Sequence, residues 1–272
     1  MFRLALNHMT LAKASYTELL ATASRLNGVG IEVRNDLAGD LFDGMSAAAA
    51  GQAARDAGLQ ILAVAEVCGF DDDKVDKLPE ARELLALASE CGASAISLIP
   101  RNDGRGIGAE ERRRNLTAAM QGLQPLLEQH DVIGLIEPLG FTSSSVRSKA
   151  EVVAVIEALD VAHCFRLVHD TFHHHLAGGG PVFPEHTGIV HVSGVTDPGL
   201  SVDEMQDADR GLVDAHDRLG NLEQLRELIR GGYLGPVSME AFAPQVHELQ
   251  DPLSALQESL AFMRHALQAE PA

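Results

Sequence analysis

Eight short apolar runs punctuate this chain from end to end: FRLALN (2–7), GIEVRN (30–35), LQILAVAEV (59–67), ASAISLIP (93–100), VIGLIEPLG (132–140), FRLVHD (165–170), GIVHVSG (188–194) and PVSMEAF (236–242). Most are apolar at consecutive positions and rich in β-branched residues, as parallel strands covered on both faces are. Between them, stretches such as SYTELLATASRLNG, LPEARELLALASECGA and GAEERRRNLTAAMQGLQPLLEQHD place apolar residues three and four apart, the spacing of amphipathic helices. Several close on glycine where a helix C-cap belongs, as in RLNGVG and LIRGGYLG. Strand and helix therefore alternate eight times with no Pro/Ser-rich linker between them. That pattern predicts a single closed (β/α)8 TIM barrel, class α/β, over residues 1–272 rather than two domains. The rival, an open doubly wound sheet, would want a glycine-rich phosphate loop after its first strand, and NHMTLAKASY contains no glycine. Two connections break the rhythm. HHHLAGGGPVFPEHTG after the sixth run is short and Gly/Pro-rich, which predicts a reduced sixth helix; VTDPGLSVDEMQDADRGLVDAHDRLGN after the seventh is long and polar, which predicts an extended loop placed to act as a lid.

Charge narrows the partners. The chain carries 21 basic and 39 acidic residues, a formal net of −18, a field that repels phosphate backbones and anionic membranes. Neither nucleic acid nor membrane is expected as a partner; a homo-oligomer is left open. Cys68, Cys91 and Cys164 stand far apart without CxxC spacing, so they are expected as small buried apolar residues rather than as a disulfide framework or a zinc knuckle. The beginning MFRLALNHMTLAKASY lacks the features of a signal peptide, and no run approaches the roughly 18 apolar residues that span a bilayer. A cytoplasmic protein is the expectation.

In a barrel of this kind working groups gather at the C-terminal strand ends. Ionisable residues stand there on four successive runs: Glu137 (GLIEP), Asp170 (LVHD), His191 (IVH) and Glu240 (SME). Each follows apolar residues, and an isolated carboxylate facing a dry core is prohibitively costly unless a cation pairs with it. A single acid at a strand end is ordinarily a helix cap or an ion-pair partner. Four ionisable groups on consecutive strands point instead to one divalent ion with mixed oxygen and nitrogen ligands, of the kind that takes Mn, Mg, Co or Zn. Three anionic ligands leave such a site negative even with a 2+ ion, which favours a neutral, hydroxyl-rich substrate over a phosphorylated one.

The stretch LVHDTFHHHLAGGG adds a DxxH pair. One helical turn beyond Asp170 brings His173 over the same pocket, while His174 and His175 must point elsewhere. A neutral His173 could donate to a substrate oxygen or orient a carboxylate. Arg210, in DADRGLVDAHDRLGN, is the cation of the seventh loop placed to grip a substrate oxygen. Asn7, His8, Glu32, Glu66 and Asn102 also lie near strand ends as unranked wall residues. No serine nucleophile emerges, because FTSSSVRSK lacks a GxSxG elbow and reads as a helix cap.

Taken together, Glu137, Asp170 with His173, His191 and Glu240 resemble the metal centre of the xylose-isomerase-like barrel superfamily of sugar isomerases, ketose 3-epimerases, inosose-processing enzymes and the endonuclease IV group. Across the whole chain, phrases such as GLIEPLGF, LVHDTFHHHLAG, VHVSGV and GYLGPVSMEAFAP look most like the inosose (2-keto-myo-inositol) isomerases. The resemblance implies that Glu137, Asp170, His191 and Glu240 bind the ion, that His173 and Arg210 contact a keto-polyol, and that Glu137 and Glu240 move the proton through an enediolate. Two features depart from the ketose 3-epimerases: Ser143 stands where they carry a second Glu, and RGLVDAHDRLG where they carry Arg-x-x-Pro-Gly-x-Gly. Alternatives on the same residues are an inosose dehydratase, a ketose 3-epimerase and a non-enzymatic polyol-binding barrel. An endonuclease is opposed by the −18 charge and by the few histidine ligands.

Overall fold

The computed structural model describes residues 2–106 and 108–269; Met1, Ile107 and residues 270–272 of the predicted 1–272 span lie outside the described residues. Every apolar run becomes a strand: β1 (Arg3–Asn7), β2 (Gly30–Arg34), β3 (Gln60–Cys68), β4 (Ala95–Ile99), β5 (Ile133–Ile136), β6 (Phe165–Asp170), β7 (Thr187–Val192) and β8 (Pro236–Met239). Each pairs in parallel with the next, and β8 pairs with β1, closing the barrel in sequence order. The connections carry helices α1 (Tyr16–Arg25), α2 (Ala47–Asp56), α3 (Leu78–Cys91), α4 (Ala109–His130), α5 (Lys149–Leu159), α6 (Thr171–Leu176) and α7 (Asn221–Arg230), then α8 (Pro244–His247) and α9 (Pro252–Gln268) after β8. The sixth helix is reduced as expected: α6 has six residues and takes Asp170, the last residue of β6, as its N-cap.

Local chemistry accounts for the helix ends. Ser15 and Glu18 form a reciprocal capping box at the start of α1, and Ser148 of the serine-rich run caps α5 by accepting from the Glu151 amide. The glycine expectation holds past α7, where Gly232 takes φ +92°; past α1 it is Asn27, at φ 55°, and not Gly28 that turns left-handed. Asn tolerates that region because its short polar side chain bonds locally.

Along the strands that line the barrel, alternate side chains face the interior. Ala5, Ala63, Ala95, Leu135, Val168 and Ile189 form a small apolar plug there. Two residues further on, the inward positions turn polar at Asn7, Ser97, Glu137, Asp170 and His191, all buried. The plug is thus the floor of a polar mouth. The outward positions, among them Leu4, Ile31, Ile96, Ile136 and Val190, pack with the helices in the main core. The seventh connection, expected as a long polar loop, runs from 193 to 220 and holds two short 3-10 turns. It folds inward rather than standing free: Gly194 and Gly211 form an isolated bridge, and the Arg210 carbonyl accepts from the amides of Phe242 and Ala243 at 2.8 Å each.

All three cysteines are free; Cys91 and Cys164 are buried as expected, but Cys68, the last residue of β3, is exposed. It sits where the strand leaves the helix layer. Among the described residues no helix is long and apolar enough to cross a membrane.

The tightest backbone approach in the helix layer is between α2 and α3, where a Cβ on Gly51 would stand 2.0 Å from the Cys91 carbonyl oxygen. Gly51→Ala must push two helices apart, so urea denaturation should show a loss of about 2 kcal/mol, within the usual cost of overpacking.

Candidate metal centre

Glu137 and Glu240 lie one residue beyond the ends of β5 and β8, yet their amides still bond across the barrel, to Leu98 O at 3.2 Å and Val192 O at 3.0 Å. The ladder therefore holds their side chains inward at the level of Asp170 and His191. All four are buried, with exposures of 5, 3, 2 and 1% for Glu137, Asp170, His191 and Glu240. One donor atom from each lies within 4.8 Å of all the others. From His191 Nδ1 the distances are 3.1 Å to Glu240 Oε2, 3.7 Å to Glu137 Oε2 and 4.0 Å to Asp170 Oδ2. Ligands about 2.1 Å from one ion lie at such separations from each other. The four residues predicted as ligands are brought together.

A further carboxylate orients this set. Glu32 accepts from His191 Nε2 at 3.0 Å and is itself fully buried. That bond fixes a proton on Nε2 and turns Nδ1, which has no hydrogen bond of its own, into the cluster, where it offers a lone pair once the ring is neutral. The register of β2 against β3 shifts between Ile31 and Glu32, and such irregularities beside polar sites re-aim a side chain.

The four ligands are not equally tethered. Oε1 of Glu240 accepts from Asn7 Nδ2 at 3.1 Å and from Arg34 Nη1 at 3.0 Å, while Oε2 accepts from Arg210 Nη2 at 2.7 Å. Asp170 accepts from the His173 amide through Oδ1 and from Arg210 Nη2 at 2.6 Å through Oδ2. Glu137 meets only imidazoles: His173 Nε2 is 3.7 Å from its Oε1.

Arg210 stands deeper than a loop cation gripping substrate from above. It is 1% exposed, lies against the rings of Phe172 and Phe242 at 5.1 and 4.4 Å, and reaches Asp207 through Nη1. His173 lies on the same mouth, held between Phe141 and Phe172, and its Nδ1 has no partner. Both border a cavity of about 200 Å³ with Arg34, Glu66, Glu137 and Glu240. His174 and His175 lie away from it, as the DxxH spacing predicts.

The electrostatics are those of a cluster short of positive charge. Burial, and then Glu240, hold the Glu137 carboxyl well above the usual carboxylate range. Burial opposes protonation of His191, yet Glu240 and Glu32 hold its imidazole well above its ordinary value. Burial works against Glu240 as well, but His191 and Arg210 keep it strongly acidic. His173 is pushed down by burial and is neutral near pH 7. A divalent cation among these oxygens would supply the missing charge, letting Glu137 ionise and His191 offer its lone pair. The residues fit such an ion, and the mixed carboxylate and imidazole set suits Mn, Co, Zn or Mg.

Sequence reading left Glu32 and Asn7 unranked and missed Arg34 and Phe242. Arg34 had a signal, a cation closing a strand that also carries Glu32. Its partners Glu66 and Glu240 become visible only when β2, β3 and β8 are set side by side, while Asp36 lies two residues along the chain.

A model of the xylose isomerase-like TIM barrel family matches residues 20–266. No curated protein matches the chain. Among solved structures, a xylose isomerase domain containing protein from Salmonella typhimurium LT2 is 27% identical with a TM-score of 0.89, over 98% of this chain and 97% of that one. The IolI protein, solved with a bound zinc atom, is 18% identical with a TM-score of 0.85, over 98% of each chain. An L-ribulose 3-epimerase is 16% identical with a TM-score of 0.74, over 98% of this chain and 95% of that one.

Removing the carboxylate behind a ligating imidazole typically costs 10–100-fold in metal affinity. Glu32→Gln should therefore weaken Mn or Zn binding by about that factor in calorimetric titration, with the far-ultraviolet circular dichroism unchanged.

Proposed function

The chain belongs to the xylose isomerase-like TIM barrel family, and on that premise we propose that it is a divalent-metal-dependent isomerase of a non-phosphorylated keto-polyol or ketose, with 2-keto-myo-inositol as substrate. The observation that carries this reading is the convergence of Glu137, Asp170, His191 and Glu240 on one buried point beside a cavity. The zinc bound by IolI on the same fold supports the metal. The L-ribulose 3-epimerase on that fold supports a ketose-like substrate class. The narrower choice of inosose rests on the GLIEPLGF, LVHDTFHHHLAG and GYLGPVSMEAFAP phrases.

When bound, the ion would act as a Lewis acid, polarising the ketone and balancing the negative charge that develops as the neighbouring C–H proton leaves. The protein divides the remaining work between two carboxylates. Among the described residues none donates a hydrogen bond to the Glu137 carboxylate, so its oxygens are free to take a proton from the substrate carbon. Glu240, anchored through Oε1 by Asn7 and Arg34 and ionised at the start, takes the proton of the adjoining hydroxyl and delivers it to the other carbon, while the proton on Glu137 passes to the oxygen that becomes the new hydroxyl. His173, neutral and fixed by two aromatic edges, serves as hydrogen-bond donor to a substrate hydroxyl. Arg210 donates to Asp170 Oδ2, holds Glu240 strongly acidic and walls the pocket. A cavity of about 200 Å³ is smaller than the sites of drug-sized ligands and suits a six-carbon polyol.

Epimerisation at the third carbon is disfavoured at Ser143, where the epimerases' extra Glu would stand. Its hydroxyl donates to Asn102 at 2.6 Å and cannot serve as a base.

Glu137→Gln and Glu240→Gln should each reduce turnover about 10²-fold or more, the ordinary worth of a positioned base. Proton exchange into myo-inosose, followed by NMR in heavy water with added Mn, is the measurement. Near-normal exchange in both variants would overturn the assignment, and a dione absorbing in the ultraviolet would mark elimination of water instead.

A further inference from the structure

Beside the metal centre, with Asp170 and His173 on its near wall, lies a second cavity of about 240 Å³ that the proposed reaction does not use. Its floor is the start of α5 and its far wall is α6 with the glycine run that follows. Lys149, the first residue of α5, is set against it by His169: His169 Nε2 lies 2.9 Å from Gln224 Oε1, whose amide nitrogen donates elsewhere, to Thr171 O and Leu219 O. His169 Nε2 is therefore the donor and Nδ1 the acceptor, so the Lys149 ammonium donates to Nδ1 at 2.8 Å. That consumes one ammonium proton and leaves two.

Other donors converge on the same space. Arg147 fixes its guanidinium on the carbonyls of Gly140 and Leu176 through Nε and Nη2, leaving Nη1. Among the described residues neither Arg147 nor Lys149 has a carboxylate within 4.0 Å. The amides of Lys149 and Ala150, the first two of α5, have no acceptor among the described residues, as helix starts leave them. His174 is 8% exposed, borders the cavity and makes no hydrogen bond through either ring nitrogen. Its ring rests against His169 at 4.9 Å. With no partner among the described residues, its ring nitrogens are open to a ligand in the cavity. On the mouth side, Gly178, Gly179 and Gly180 all take positive φ, and a Cβ on Gly178 or Gly180 would meet nothing within 4 Å, so the backbone there leaves an open approach.

The acids nearby are already committed. Asp170 borders the cavity, but its oxygens are taken by Arg210 and the His173 amide, and Glu151 is paired with Arg112. In a chain of net charge −18 this is a local excess of positive charge and of hydrogen-bond donors.

We propose that this cavity is a binding site for a phosphate group, held by Lys149, Arg147, His174 and the first amides of α5, separate from the metal centre and beside it. A carboxylate offers about four lone-pair positions, fewer than the donors assembled here, whereas a tetrahedral phosphate meets them on several sides. Burial lowers the free Lys149 ammonium to a pKa of about 7, so above neutrality phosphate uptake is accompanied by proton uptake.

The test is calorimetric titration of the protein with inorganic phosphate, with glucose 6-phosphate and with glucose, in two buffers of different ionisation enthalpy. The expected result is one phosphate group bound per chain, no response to glucose, and affinity at least 10-fold weaker in Lys149→Gln and in Ala150→Asp. Ala150 is exposed in the first turn of α5, where an acid favours the helix, so the second variant keeps the fold while setting a charge against the ligand. Tighter binding of glucose 6-phosphate than of phosphate identifies a phosphorylated metabolite as the occupant, and equal binding identifies free phosphate. No binding, or binding that Ala150→Asp leaves unchanged, overturns the proposal.

Discussion

The balance of charge in the barrel mouth governs the rest of this structure. Glu32, Glu137, Asp170 and Glu240 are all buried there, and two guanidiniums, Arg34 and Arg210, face them together with His191. Burying ions costs several kcal/mol each unless geometry and hydrogen bonds repay it. The protein repays part of the cost by saturating Glu240 and Asp170 with donors, and it leaves Glu137 without any. The group most in need of a cation is thus the one with a free oxygen edge. A site designed only for stability would have paired it, since removing partners from a buried charge is strongly destabilising; a site that uses an ion can leave it open.

That same constraint explains what the sequence made legible. The strand runs were visible because barrel strands are apolar on both faces, and the floor of the mouth obeys the simple rule that Leu135, Val168 and Ile189 precede Glu137, Asp170 and His191 by two positions. The four ligands could be named because a charged residue ending an apolar run is conspicuous. Glu32 could not be ranked, because its meaning lies in His191, which is 159 residues distant. Arg34 was missed for the same reason, its partner Glu240 being 206 residues away. Local signals name the residues that break a pattern, whereas pairings across the barrel require the closure itself. Cys68 shows the converse: composition made it a buried residue, but its place at the last position of β3 puts it outside the core.

The stretch from Leu167 to Gly180 distributes chemistry by strand and helix geometry alone. On β6, His169 faces outward to Lys149 and Gln224 while Asp170 faces the mouth. On α6, His173 turns back over Glu137 and His174 turns toward the second cavity. Three consecutive histidines therefore cannot act as one metal-binding tract; adjacent side chains on a helix diverge, and each is recruited by a different neighbour. The short α6 makes this arrangement tolerable, since a longer helix would cover the approach that the three glycines leave open.

The two cavities also divide ligands by charge. The mouth is ringed by Asp36, Glu66 and Asp207 as well as by the ligand carboxylates, and Arg34, Arg210 and His191 oppose them. Even with a 2+ ion it remains negative, so a phosphorylated sugar would enter against repulsion in a low-dielectric space while a neutral polyol would not. In the second cavity the sign reverses, because Arg147 and Lys149 lack acidic partners. The fully committed Asp170 side chain lies between these opposite potentials. On the mouth side Asp170 is paired with Arg210, whereas on the other the Lys149 ammonium donates to the neutral His169 lone pair and keeps its charge. Preference for an uncharged substrate at the centre and for an anion beside it then follows from the same few residues of β6 and α6.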